Sequence, residues 1–429
     1  MSKSNPKHTP KTWYRLDLSA IVYPTLQRRD FSSVYRLSVL LKDPVQPDIL
    51  QQAVDIAMKR FPTYHSAMRK GFFWRYLEPN TRPGPFVKPD IRNFCMPMPF
   101  KSNNRYLVRF YWYDRRISLE AHHSLGDGGM YLLQTVTAVY LRLLGHEISN
   151  GGFVLDVNET PDPEEFEDAY MRYANARVCP PRPAEKTYRV RGTKEPFYTL
   201  NVIDGIMSVS AVRKVAKQYQ ASITEYLNAV LLYSLLQKQE HDFHLRLRPV
   251  RIAMPVNLRR FFPSKTLRNF ITMVYPSIDP RLGDYTFEEI VTQVHHYMRY
   301  YINSKFLRGD ITTNASTQRN PLIRIVPLFL KDFVVRQFYQ RVQDKNSSAG
   351  LTNMGAIRVP DDMKPYLERF DIYMGIPYSQ RTNCAIVSFE DTLTVNFASC
   401  IIEADVERRF FQKLVEDGIP VTIESNREL

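Results

Sequence analysis

The chain is 429 residues long, enough for two or three domains of ordinary size, with 44% hydrophobic and 13% aromatic residues to fill their cores. Its 58 Lys and Arg outnumber 44 Asp and Glu, giving +14, which favours anionic partners. The densest basic clusters, 246–251 and 258–262, are short and broken by apolar residues, and no helix-turn-helix, zinc-finger or RNP-like pattern accompanies them, so nucleic acid is not an expected partner.

No apolar run is long enough for a transmembrane segment, and the N-terminus is polar and basic without a secretory apolar stretch. Cys95, Cys179, Cys384 and Cys400 stand far apart, without metal-ligand spacing. The expectation is a cytoplasmic protein with free thiols and no metal site.

In chain order, 48–62 has a helical apolar period, with Ile49, Leu50, Ala53, Ile56, Ala57 and Phe61, and ends before Pro62. Residues 66–80 read as two strands turning at Gly71, and 106–124 as a hairpin turning near Asp114–Arg116. Its second arm, Ile117 to His123, brings His122 and His123 to a strand end. A helix over 130–145, apolar on most faces and therefore buried, stops at Gly145. The proline-rich, charged stretch 179–196 reads as a linker. It separates an N-terminal subdomain, 1–178, from a C-terminal one, 197–429.

In the second half, 208–239 reads as two helices, the second capped at Ser222 or Thr224 with Glu225 close behind. A strand follows at 250–258, then one long helix over 287–306. A hairpin turns at Glu390–Asp391, and a closing helix ends at Gly418. Helices and hairpins mix without regular βαβ alternation, so the fold class is α+β.

The stretch "HHSLGDGG", 122–129, concentrates the candidate chemistry. A histidine at a strand end before a Gly-rich turn sits where scaffolds present reactive groups, and imidazole can take and return a proton near neutral pH. Glycines 126, 128 and 129 permit positive φ and close backbone approach. On the residues alone, Asp127 can equally be the N-cap of the next helix, and the two histidines ordinary strand residues. A second pair, His295–His296, lies mid-helix with no Asp or Gly behind it and reads as structural.

Residues 122–128 match the HHxxxDG signature, and on them the chain resembles the CoA-dependent acyltransferase superfamily. That group includes chloramphenicol acetyltransferase, plant BAHD enzymes, condensation domains, polyketide-associated acyltransferases and alcohol acetyltransferases. Residues 50–80, 255–270 and 351–360 are similar to segments of the alcohol-acetyltransferase-like branch, while "DIYMG" at 371–375 keeps only the ends of the DFGWG motif.

The resemblance implies two chloramphenicol-acetyltransferase-like subdomains around a central tunnel. It implies acyl transfer from acyl-CoA, as co-substrate and not as a resident cofactor, to a small-molecule or lipid alcohol, or to an amine. His123 would be the general base, its tautomer set by a backbone carbonyl, with His122 as a supporting neighbour. Asp127, the second catalytic candidate, would shape the loop by pairing with Arg259, and Gly128 would allow close approach. Thr352 and Asn353 match positions that supply or support an oxyanion donor, though a strand-initiating cap reads equally well. Tyr373 and Tyr378 are candidate tunnel residues; those holding the CoA phosphates are not assignable. A carrier protein is a possible donor partner instead of CoA, and a non-catalytic binding module is the alternative of another class.

Overall fold

The computed structural model describes residues 13–27, 32–175, 185–196, 199–242, 246–341, 346–375 and 380–427. Cys179, Tyr378 and the first part of the proline-rich stretch, 179–184, lie outside the described residues. Cys95, Cys384 and Cys400 are free thiols.

Two sheets organise the molecule. The first has five strands, in the order Leu367–Met374, Val34–Leu41, Arg116–His122, Val108–Tyr113 and Val87–Pro89. Only its last pair is parallel. The second sheet is eight-stranded and mixed, and Ala349–Ala356 runs parallel to both of its neighbours, Val250–Asn257 and Thr382–Phe389. A third, small sheet joins Tyr14–Arg15 to the hairpin Ser66–Lys70 and Arg75–Pro79, which turns at Gly71. Helices flank the two large sheets, and the architecture is α+β.

Each large sheet carries one apolar core. Pro47–Ala57 and Gly129–Leu143 pack into the first; Gly129–Leu143 is buried nearly all round, from Met130 to Leu141, as its unbroken apolar surface requires. Ile223–His241 and Asp405–Glu416 pack into the second. Ser222 caps the former: its hydroxyl accepts from the Glu225 amide and the Glu225 carboxylate accepts from the Ser222 amide at 2.7 Å.

The cores are not contiguous in sequence. Leu367–Met374 leaves the second half and pairs with Val34–Leu41, placing Leu367, Phe370 and Ile372 in the first core. It keeps hold of the second sheet, since Thr394 donates to the Phe370 carbonyl at 2.9 Å and the Ile372 amide donates to Asn396. The long helix expected over 287–306 is two: Phe287–Tyr301 stops, and Asn303 caps Ser304–Arg319 by accepting from the amides of Lys305 and Phe306. That cap offers the backbone a better end than continuation, because the Asn side chain satisfies amides that would otherwise be orphaned. His295 and His296 lie within the first of these helices; His295 faces Glu225 at 3.3 Å.

Candidate active site

The strand Arg116–His122 is buried along nearly its whole length, so the turn after it is presented from a rigid base. His122 faces inward and is fully buried. The Ser124 amide donates to its Nδ1 at 3.2 Å, which makes Nε2 the protonated nitrogen, and that nitrogen donates to Gln27 Oε1 at 3.0 Å. Burial, and then the neighbouring His123, pulls His122 down to about 3. It is a fixed, neutral bracket.

His123 is one residue past the strand. Its amide donates to the Ser33 carbonyl at 2.8 Å, and its own carbonyl accepts from Asn269 Nδ2 at 2.8 Å. The ring lies stacked on Tyr23, centroids 4.9 Å apart, and 4.5 Å from the Tyr35 ring. No backbone carbonyl meets Nδ1, contrary to the sequence expectation: this buried nitrogen has no hydrogen-bond partner among the described residues. Aromatic rings instead of a polar partner fix the ring plane. Burial lowers the imidazole to about 4 although the Asp127 charge pulls the other way, so near neutral pH the ring is an uncharged base.

Asp127 does not cap the following helix, whose N-cap is Gly128 with no side-chain bond. It is taken by the other half of the molecule. Arg259 grips it with two nitrogens, at 2.7 and 2.9 Å, and the Phe270 amide donates to it at 3.2 Å. Arg259 also donates to the carbonyls of Thr266 and Arg268, so one guanidinium ties the HHxxxDG turn to the segment 266–270.

The glycines serve that contact. Gly126 has φ +140°, and a Cβ there would stand 2.3 Å from the Leu267 carbonyl oxygen. Gly128 has ordinary φ; it donates to the same carbonyl at 3.1 Å, and a Cβ would lie 2.8 Å from it. Of the three turn glycines only Gly126 uses the left-handed region, while Gly128 and Gly129 are required by proximity.

Asn269, within the resembling stretch 255–270, adds a further link. Its amide nitrogen also reaches both oxygens of Asp17, at 3.2 and 3.1 Å. Asp17 is 1% exposed, accepts from the Ala20 amide and faces Arg268 Nε at 3.4 Å. The early segment around Asp17 thereby braces the asparagine that holds the His123 carbonyl.

Thr352 and Asn353 sit on the second sheet, away from this cluster of contacts. The Asn353 amide nitrogen is spent on Thr224 Oγ1 at 2.8 Å, and its oxygen accepts from Gly355. That arrangement matches a strand-shaping role and uses one of the two N–H donors of the Asn353 amide. Tyr373 is held in the core beside the second sheet. It is 4% exposed and donates to Asp204, a buried carboxyl pushed up to about 7 by burial and then by Asp371.

A cavity of about 920 Å³ opens beside the site. Its walls include Leu18, Thr272, Tyr297, Phe306, Leu328 and Tyr23. His123 is not among its lining residues; Tyr23, which stacks on the His123 ring, is. Tyr23 and Tyr35 were invisible as site residues in a chain with 26 tyrosines. Among the described residues no cluster of three or more His, Cys, Asp or Glu could hold a metal ion.

No protein-family model matches the sequence, and no curated protein matches it. Solved structures do match along nearly the whole chain. The trichothecene 15-O-acetyltransferase of Fusarium sporotrichioides aligns at TM-score 0.59 and 12% identity, covering 96% of this chain and 97% of that one. The wax ester synthase/diacylglycerol acyltransferase of Marinobacter aquaeolei aligns at 0.56 and 13%, covering 94% and 100%. A starter condensation domain of rhizomide synthetase, in complex with C8-CoA, aligns at 0.57 and 11%, covering 94% and 94%.

Proposed function

We propose that this chain, which has the two-part α+β fold of condensation domains and acyltransferases, transfers an acyl group from a thioester to a hydroxyl or amine, with acyl-CoA as the donor. The observation that carries the reading is His123: an uncharged imidazole at a strand end, with an unpartnered Nδ1, on a turn clamped to the other half through Asp127 and Arg259. A general base must be neutral at working pH and held in one orientation, and both conditions are met.

In this reaction His123 takes the proton of the acceptor hydroxyl as its oxygen attacks the thioester carbonyl carbon. The C–O bond forms, the tetrahedral intermediate collapses, the C–S bond breaks, and the imidazolium returns the proton to the departing thiolate. Because burial disfavours the imidazolium, the charged form is a strong acid and gives its proton up readily. Asp127 is not in line to relay charge to the imidazole as a triad aspartate would be. It and Arg259 hold the turn, Gly128 lets the two backbones meet, and Asn269 fixes the His123 carbonyl. An acceptor in the large cavity approaches the histidine past Tyr23, which lines the cavity and stacks on the imidazole.

The condensation domain and acyltransferase neighbours support thioester chemistry, and the one solved with C8-CoA supports a CoA donor. The test is purified protein with acetyl-CoA and longer acyl-CoAs against a panel of alcohols and amines, followed by release of free thiol. Turnover with an acyl-CoA upholds the reading. Silence with every acyl-CoA but turnover with an acyl-loaded carrier protein reassigns the donor.

A further inference from the structure

The helices beyond Arg319 leave apolar side chains in solvent on a scale that a water-facing surface does not require. Leu322 is 71% exposed, Ile325 67%, Phe329 61%, and Phe333 and Val334 63% each. Phe329 and Phe333, and Leu330 and Val334, stand four apart on Leu328–Arg341, so they form one stripe along it. Phe72 and Trp74, exposed at 68% and 48%, continue the stripe from the turn between Lys70 and Arg75. The two parts are fastened together: the Leu328 amide donates to the Phe72 carbonyl at 2.8 Å, Lys331 Nζ to the Phe73 carbonyl, and Arg75 grips Asp332 with two nitrogens. Exposed apolar patches of this kind mark interaction sites.

Charge narrows the partner. From Ile311 to Phe338 the cations are Arg319, Arg324, Lys331 and Arg336, and the sole acid, Asp332, is neutralised by Arg75. Among the described residues no carboxylate pairs with Arg319, Arg324 or Arg336, which use donors only on backbone carbonyls. Aromatic and aliphatic side chains on one side with unpaired arginines around them suit the boundary between anionic headgroups and acyl chains. The patch also borders the large cavity, whose wall takes Leu328, Val335, Ile323 and Trp74 from the same elements.

We propose that this face docks on an anionic lipid bilayer, with Phe72, Trp74, Phe329, Phe333 and Val334 in the interfacial layer and the arginines on lipid phosphates. Docked in this way, the cavity receives its acceptor, a lipid alcohol, from the bilayer; this second part rests on the acyltransfer reading, whereas docking does not. The chain would lie on the membrane without crossing it: among the described residues no helix is long and apolar enough to span one.

Co-sedimentation with vesicles tests it, comparing phosphatidylcholine alone with phosphatidylcholine containing phosphatidylglycerol. Wild type should partition to the anionic vesicles at least about tenfold better, and raised salt should weaken this. The triple variant Phe329→Ser, Phe333→Ser, Val334→Ser should lose about tenfold in partitioning while keeping its circular dichroism spectrum and its thiol release with a short soluble alcohol. Wild type that ignores both vesicles, or a variant that binds them equally well, overturns docking. So does a wild-type dimer without vesicle binding that the variant converts to monomer, because the face is then a contact between copies. Patch-dependent binding without thiol release from any acyl-CoA leaves docking standing and sinks the acyltransfer reading.

Discussion

Removing the Asp127–Arg259 clamp should weaken the fold and slow the reaction together. Arg259→Met keeps the aliphatic stem and deletes the guanidinium. It strips Asp127 of two charge-assisted bonds, leaves it the Phe270 amide alone, and frees the carbonyls of Thr266 and Arg268. Breaking a buried pair by removing one partner costs roughly 3–5 kcal/mol. With side chains 19% and 21% exposed, water can reach both, so about 3 kcal/mol is the appropriate figure. For a chain this long, that lowers Tm by about 3 °C. The kinetic effect is separate: the segment 266–270 carries Asn269, and a drift of about 1 Å in the His123 carbonyl it holds should cost about a hundredfold in rate. Thermal melts and thiol-release rates of Arg259→Met, Asp127→Asn and the double variant measure both, and the double variant should be little worse than either single one. An unchanged melt with an unchanged rate for Arg259→Met refutes the clamp.

Three further outcomes follow from the same geometry. Gly128→Ala drives a Cβ to 2.8 Å from the Leu267 carbonyl, so it should destabilise by about 1–3 kcal/mol and reduce thiol release; an alanine variant with a wild-type melt would show that the two backbones can part freely. Asn269→Ala leaves the His123 carbonyl unpaired and Asp17 with only the Ala20 amide and Arg268, with a loss of about 2 kcal/mol, and kcat should fall with KM nearly constant, because Asn269 positions the base without entering the cavity wall. The acid limb of kcat/KM should fall near pH 4, not near 6.5. Burial lowers His123 to about 4, so the neutral base persists down to that pH and is lost below it; a limb centred near 6.5 would mean the histidine is solvated in the free protein.

Much of this was legible in local sequence. The hairpin arm ending at the histidines, the all-round apolar helix after them, the Ser222–Glu225 cap and the turn at Glu390–Asp391 rest on interactions between residues a few positions apart. So does the turn that needs Gly126. The pairing of Asp127 with Arg259 came from resemblance, since nothing local links positions so far apart. What stayed hidden is longer-range or aromatic. The pairing of Leu367–Met374 with Val34–Leu41 is chosen by the whole fold, and no short pattern encodes it. The Asn303 cap that splits a long helix competes with an apolar period running straight through it. Tyr23 and Tyr35 reach His123 only because three distant segments converge, and other long-range contacts tie Asn353 to Thr224 and Tyr373 to Asp204.

The central claim, that His123 is the base, is tested most directly by His123→Ala in the thiol-release assay, with circular dichroism as the control for folding. Loss of a general base predicts a fall of roughly a hundred- to ten-thousandfold at neutral pH with the fold intact. A folded variant that releases thiol at the wild-type rate would contradict it.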